Sequence, residues 1–99
     1  MQRADSKQIQ TIKKKIVPTL KKYGIKKAGI FGSFVRGEQK KKSDIDILAE
    51  IPPKIDLFGV IGIKLELEDK LGRKVDLVEY KLIRPELKKS ILREEIRVI

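Results

Sequence analysis

A mixed α/β (α+β) fold, a small mixed β-sheet with flanking helices, is the architecture predicted by this 99-residue sequence. Two observations carry that prediction. Short apolar runs alternate with longer stretches of helical periodicity, in the order helix, strand, strand, helix, strand, helix. Glycine and proline punctuate most of the junctions, at Gly24, Gly32, Pro52, Pro53, Gly72 and Pro85. The length fits one domain over residues 1–99, with a single core and no second lobe. At 40% hydrophobic and 38% charged residues, the composition is that of a globular chain and not a disordered one.

Residues 6–23 place Ile9, Ile12, Ile16, Leu20 and Tyr23 at helical spacing on one face. Asp5 or Ser6 can cap the start and Gly24 can end the helix, while Pro18 predicts a kink or break near residue 17. Lys13, Lys14, Lys15, Lys21 and Lys22 fall on the wet side. Residues 28–31 read as a short strand stopped by Gly32. Residues 43–51 read as a second strand, stopped by Pro52-Pro53. Residues 56–71 read as a helix with a wide apolar stripe of Leu57, Ile61 and Leu65, flanked by Phe58, Val60, Leu67 and Leu71. Gly59 and Gly62 weaken that helix by up to about 1 kcal/mol each relative to Ala, and Gly72 suits its C-cap. Residues 73–80 read as a third strand. Pro85 fits the first turn of a helix over residues 86–95, and the alternating tail 96–99 reads as extended.

Composition removes whole classes of chemistry. With no Cys there is no disulfide, no thiolate nucleophile and no Cys-bound zinc. With no His there is no imidazole base, no Ser-His-Asp arrangement and no imidazole metal ligand. A bound metal would therefore be held by oxygen, which favours Mg²⁺, Mn²⁺ or Ca²⁺. The first ten residues are polar, and no run approaches the ~18 apolar residues of a membrane span, so the expectation is a cytoplasmic protein. The net charge is +10 and lies almost wholly in residues 1–42, which hold 13 Lys and Arg against 2 Asp and Glu. That part either attracts nucleic acid, nucleotide or an acidic protein, or forms a solvated lysine-rich helix face; the pattern alone leaves both open.

The stretch GSFVRGEQKKKSDIDILAE, residues 32–50, carries the chemistry. Side chains at i and i+2 of a strand share a face, so Asp44 and Asp46 project together while Ile45, Ile47 and Ala49 face the other way. Two adjacent carboxylates repel and resist losing water, and a divalent cation between them reverses both penalties. A lone D-x-D is equally an exposed strand end. A third acid, Asp76, interrupts another apolar strand between Val75 and Leu77. If the two strands are neighbours, Asp76 completes a three-carboxylate cluster, the arrangement that holds paired metals for in-line phosphoryl chemistry. Gly32-Ser33 follows a strand, and exposed N–H groups at such a turn suit phosphate oxygens. Arg36 can clamp a phosphate or pair with a site carboxylate. Lys40, Lys41 and Lys42 form a basic loop ahead of the aspartates, either solvated or in contact with triphosphate or RNA.

Taken together, Gly32-Ser33, Arg36-Gly37, Ser43-Asp44-Ile45-Asp46 and the later Asp76 resemble the motif set of the nucleotidyltransferase superfamily related to DNA polymerase beta. The length and the closing segment IRPELKKSILREEIRVI resemble its minimal nucleotidyltransferase (MNT) group. The resemblance implies the polymerase beta-like nucleotidyltransferase fold. It implies that Asp44, Asp46 and Asp76 are catalytic and hold two Mg²⁺, with Mn²⁺ the alternative; with no His in the chain, Asp76 is the candidate acceptor for the proton of the attacking hydroxyl. It implies that Gly32 and Ser33 cradle the triphosphate of ATP and that Arg36 joins the nucleotide-binding set. MNT proteins pair with HEPN-domain ribonucleases as toxin–antitoxin modules, and the MNT antitoxin transfers AMP to a toxin tyrosine. The resemblance therefore implies a HEPN partner, which would also supply the pocket wall that so short a chain lacks.

Three other readings are compatible with the same residues. One is a non-catalytic antitoxin subunit that neutralises by contact, which an exposed apolar patch at Leu87, Ile91 and Leu92 would favour. Another is a nucleotidyltransferase acting on a small molecule or RNA. The weakest is a plain RNA-binding module, since only two Tyr and three Phe are available for stacking.

Overall fold

A computed structural model describes residues 6–32, 35 and 44–99. Helix α1 (Ser6–Lys22) leads into β1 (Ala28–Phe31) and β2 (Ile45–Ala49); α2 (Leu57–Leu71) connects β2 to β3 (Val75–Glu79). A 3₁₀ turn (Tyr80–Leu82), α3 (Pro85–Glu94) and β4 (Ile96–Arg97) complete the order. The sheet runs β3-β2-β1-β4, with β1 antiparallel to both β2 and β4. The β2–β3 pair is parallel. A parallel pair needs a crossover, and α2 supplies it. The mixed sheet and its helices match the predicted class.

The core lies on one face of the sheet. Ala28, Ile30, Ile45, Ile47, Ala49 and Val75 form it from the strands. Ile9, Ile12, Ile16 and Leu20 of α1 and Ile63 and Leu67 of α2 close it from above. Each fully buried aliphatic side chain contributes roughly 1.5–3 kcal/mol relative to exposure. At the edge of this layer the Glu66 carboxylate accepts from Lys22 Nζ at 2.6 Å and from the Tyr23 hydroxyl at 2.7 Å, joining the two helices.

Helix α1 runs unbroken through Pro18, contrary to the predicted kink or break. Pro18 and Lys14 both lie on the exposed side, so the carbonyl deprived of its N–H partner faces water. Ile16 and Leu20, fully buried, hold the helix on either side of the proline. Gly24 (φ +79°) ends the helix as predicted, with Ile25 N–H returning to the Leu20 carbonyl at 3.0 Å. The cap expected from Asp5 or Ser6 falls outside the described side chains.

Helix α2 departs from the expected stripe. Leu57, Phe58, Ile61 and Leu65 are exposed, Phe58 to 82%, whereas Ile63 and Leu67 are fully buried. The core-facing row is Val60, Ile63, Leu67 and Leu71. A helix apolar on nearly every side satisfies more than one row at helical spacing. Its seating on the sheet then depends on the connections at its two ends. Asp56 sets one end by accepting Gly59 N–H at 2.8 Å, and Gly72 (φ +66°) caps the other. Glu68 ties α2 to β3, accepting from Val75 N–H at 3.0 Å and pairing with Lys64 at 3.2 Å. β2 and β3 are shorter than the predicted 43–51 and 73–80, and β1 spans the predicted residues. Ser43 lies outside the described residues, and the tail forms β4, as its alternation indicates. Among the described residues no helix is long and apolar enough to cross a membrane.

Two measurements check this packing. Leu67→Ala should cost about 2–5 kcal/mol in urea unfolding, and Phe58→Ala less than about 0.5 kcal/mol. The Glu68 carboxyl is held below its ordinary pKa by the Val75 N–H bond first and then by Lys64. Its contribution is therefore present above the unfolded pKa and lost as pH falls through the depressed folded value. The urea midpoint of Glu68→Gln should lie below that of the native protein at pH 7, and the gap should close as pH drops below about 4.

Candidate active site

Strand β2 is the central carrier. Ile45, Ile47, Leu48 and Ala49 are fully buried, and Asp46 is the one partly accessible side chain among them. Alternation places Asp46 and Leu48 on the face away from α1 and α2. Strand β3 lies beside β2, and the register sets Asp46 against Asp76, with Ile45 against Val75 and Ile47 against Leu77. Neighbouring strands stand about 4.8 Å apart, so the two aspartates spring from adjacent backbone positions on one face. Asp44, exposed, immediately precedes β2, whose first residue Ile45 donates to the Lys74 carbonyl at 3.0 Å. The condition posed by the sequence, that the two acidic strands be neighbours, is met.

On the other side of Asp46 stands the end of β1. Phe31 is the register partner of Asp46, and Gly32 follows it at φ +81°. A Cβ at Gly32 would overlap the Asp46 carboxylate. Glycine is needed here twice over, for the left-handed backbone and for the space beside the acid. Gly32 N–H donates to Glu94 Oε1 at 3.0 Å, bringing the last residue of α3 to the site. Sequence reading did not find Glu94. It sits in the charged run Arg93-Glu94-Glu95, where no periodicity separates a site acid from a solvated one. Ser33, Arg36 and Lys40, Lys41 and Lys42 lie outside the described residues.

The donor set fits a hard divalent cation: carboxylate oxygens only, with a side-chain-free wall at Gly32. Among the described residues no three acidic side chains are gathered around one point as a ready-made cage. The backbone register determines where Asp46 and Asp76 originate, and like charges resist closer approach.

A separate cleft of about 660 Å³ opens beyond the far ends of the same strands, lined by Lys26, Lys27, Glu50, Tyr80, Lys88 and Leu92 among others. Asp46 lies three residues back along β2, roughly 10 Å from it. Tyr80 is half-buried there; its hydroxyl donates to Glu95, and Lys27 Nζ lies 4.4 Å from its ring centre. Burial first, then the Glu95 bond, push its hydroxyl well above the ordinary tyrosine range. The carboxylates, and not this cleft, carry the features suited to phosphoryl chemistry.

Residues 14–99 match the family described as Polymerase beta, Nucleotidyltransferase. The chain belongs to that nucleotidyltransferase family. The fold of this nucleotidyltransferase is shared with the structure described as "putative minimal nucleotidyltransferase", at TM-score 0.78 and 30% identity over 93% of this chain and 94% of the other. It is also shared with a toxin–antitoxin complex solved with AMP-PNP, at TM-score 0.76 and 24% identity over 88% of this chain and 72% of the other. Among curated proteins, the chain is 48% identical to "Putative protein adenylyltransferase MJ0435" of Methanocaldococcus jannaschii, over 92% of this chain and 98% of that protein. It is 39% identical to Protein adenylyltransferase MntA of Thermococcus cleftensis, over 78% of each. A further neighbour of the same fold is a tri-AMPylated HEPN toxin with its MNT antitoxin from Shewanella oneidensis, at TM-score 0.71 and 22% identity over 91% of this chain and 71% of the other.

Gly32→Ala tests the geometry without touching an acid. It should hold Asp46 off its place and strain the backbone by about 1–2 kcal/mol. We expect a modest fall in the urea midpoint, together with a clear displacement of the Asp46 side-chain carboxyl resonance by NMR.

Proposed function

We infer that this protein, acting as one minimal nucleotidyltransferase domain over residues 1–99, transfers AMP from ATP to a hydroxyl, a tyrosine of a HEPN-domain ribonuclease, and serves as that toxin's antitoxin. The observation that carries the reading is the register of Asp46 with Asp76 beside the side-chain-free wall of Gly32. The adenylyltransferase names of the relatives and the toxin–antitoxin assemblies among the structural neighbours support the substrate and the partner. Asp44, Asp46 and Asp76 are the residues that would hold divalent metal, Mg²⁺ or Mn²⁺, which supplies charge neutralisation of the triphosphate.

The chain's own groups do the rest. The Gly32-Ser33 bend and Arg36 bind and orient the triphosphate. The acceptor oxygen bonds to the α-phosphorus as the bond to pyrophosphate breaks, and the hydroxyl proton passes to the Asp76 carboxylate. No histidine competes for that role. Positioning and charge stabilisation supply most of the acceleration. Site carboxylates exposed on an open sheet face, as Asp44 and Asp76 are, call for a partner that covers the nucleotide. We take the site of action to be the cytoplasm, where ATP is at hand.

A contact-only antitoxin is the second reading, favoured by the exposure of Leu87 and Leu92 on α3. One experiment separates the two. Native protein incubated with α-³²P-labelled ATP, Mg²⁺ and a candidate HEPN partner should label the partner. Asp44→Asn, Asp46→Asn and Asp76→Asn should each lower the rate by at least about 100-fold with unchanged unfolding midpoints. Full activity in the Asp44 or Asp46 variant would sink the mechanism. Label on RNA or a small hydroxylated acceptor alone would redirect it, and inhibition of the toxin without label would favour contact.

A further inference from the structure

The last residue of α3 reaches the nucleotide-binding turn. Gly32 N–H, at the bend where β1 ends, is taken by Glu94 Oε1 at 3.0 Å. The adjacent Glu95 lies against Gly29 in the middle of β1, so closely that a Cβ there would overlap its carboxylate, and it accepts the Tyr80 hydroxyl. Two successive carboxylates thus pin the end of α3 to β1, one at mid-strand and one at the bend.

Only one of them faces the site. Glu95 is accounted for by Tyr80 and by its packing on Gly29. Glu94 ends a helix, where the backbone dipole disfavours an anion. It also stands on the same glycine as the Asp46 carboxylate. Glu95 already fastens the end of α3 to mid-strand through Gly29 and Tyr80, whereas the Glu94 bond falls on the glycine that borders Asp46. What Glu94 holds is the backbone orientation of Gly32, from which the chain continues to Ser33. While that bond stands, the Gly32 N–H is not available to a phosphate. The contribution of Gly32 is then its shape, and donation to the triphosphate falls to the groups after it.

We propose that Glu94 is a positioning residue for nucleotide binding: by accepting the Gly32 N–H it sets the bend that receives the triphosphate. The proposal rests on the nucleotidyltransferase reading above. It assigns the closing helix a part in the site, through the hydrogen bond to the Gly32 N–H.

The two available substitutions act differently. Glu94→Gln keeps a carbonyl acceptor and removes the charge; Glu94→Ala removes both. Gly32 amide exchange by NMR in the free protein, AMP-PNP·Mg²⁺ affinity by calorimetry, and KM against kcat for ATP should be measured for each. Glu94→Ala should lose protection at Gly32, weaken AMP-PNP binding and raise the ATP KM about 10-fold, with kcat changed much less. Glu94→Gln should stay within about 3-fold of the native protein on each count. Tighter nucleotide binding in both variants would overturn the proposal, because Glu94 would then be a competitor of the phosphates. Unchanged affinity in Glu94→Ala, or equal losses in both variants, would overturn it as well. If the native protein itself failed to bind AMP-PNP with Mg²⁺, the nucleotidyltransferase reading would fall and this one with it. Failure confined to the variants touches the Glu94 proposal alone.

Discussion

The parallel pairing of β2 with β3 is the constraint on which the site depends. Asp46 lies on a strand whose other side chains are buried, and such a strand cannot slip by one residue without turning Ile45 and Ile47 out of the core. The same apolar residues that bury one face therefore hold Asp46 on the other, opposite Asp76. The acids need no attraction for each other. Burial of their neighbours supplies the free energy that keeps two like charges on adjacent strands.

The two faces of the sheet are held by different forces. Towards α1 and α2 the contacts are aliphatic and closely packed, and the helices are capped by glycines in left-handed geometry. On the other face Leu48 is also fully buried, and polar contacts tie α3 down beside it: Glu94 on the Gly32 N–H and Glu95 on the Tyr80 hydroxyl, with no residue of α3 buried. A helix held this way leaves Leu87 and Leu92 facing outwards. α2 likewise leaves Leu57, Phe58 and Leu65 on the surface. Apolar exposure on this scale is consistent with the partnered life proposed for the protein.

Much of the fold was legible in the residues. The helical spacing of Ile9, Ile12, Ile16 and Leu20, the alternation of Ile45, Ile47 and Ala49 and the stops at Gly24 and Gly72 each reflect a local rule that tertiary packing had no reason to override. Pro18 and the α2 stripe show where local rules fall short. A proline on a wet helix face leaves only a solvated carbonyl unpaired, and a helix apolar on nearly every side offers several faces to the core. Of the candidate site, the Asp44–Asp46 spacing and the interrupting Asp76 stood out because charge within an apolar strand is costly and therefore conspicuous. Glu94 was not readable, because an acid in a charged helix end looks like any other surface acid.

The sequence by itself determined the chemistry open to this protein. A chain without His or Cys can hold a metal only by oxygen, and only its carboxylates can take up a proton at neutral pH. Period-two and helical spacing likewise determined which segments would be strands and helices, since both follow from backbone geometry. Only the tertiary structure decided which strands became neighbours, which row of α2 faced the core, and that α3 would return to the end of β1. Those choices depend on the summed burial of residues far apart in the chain, and no local stretch contains that sum.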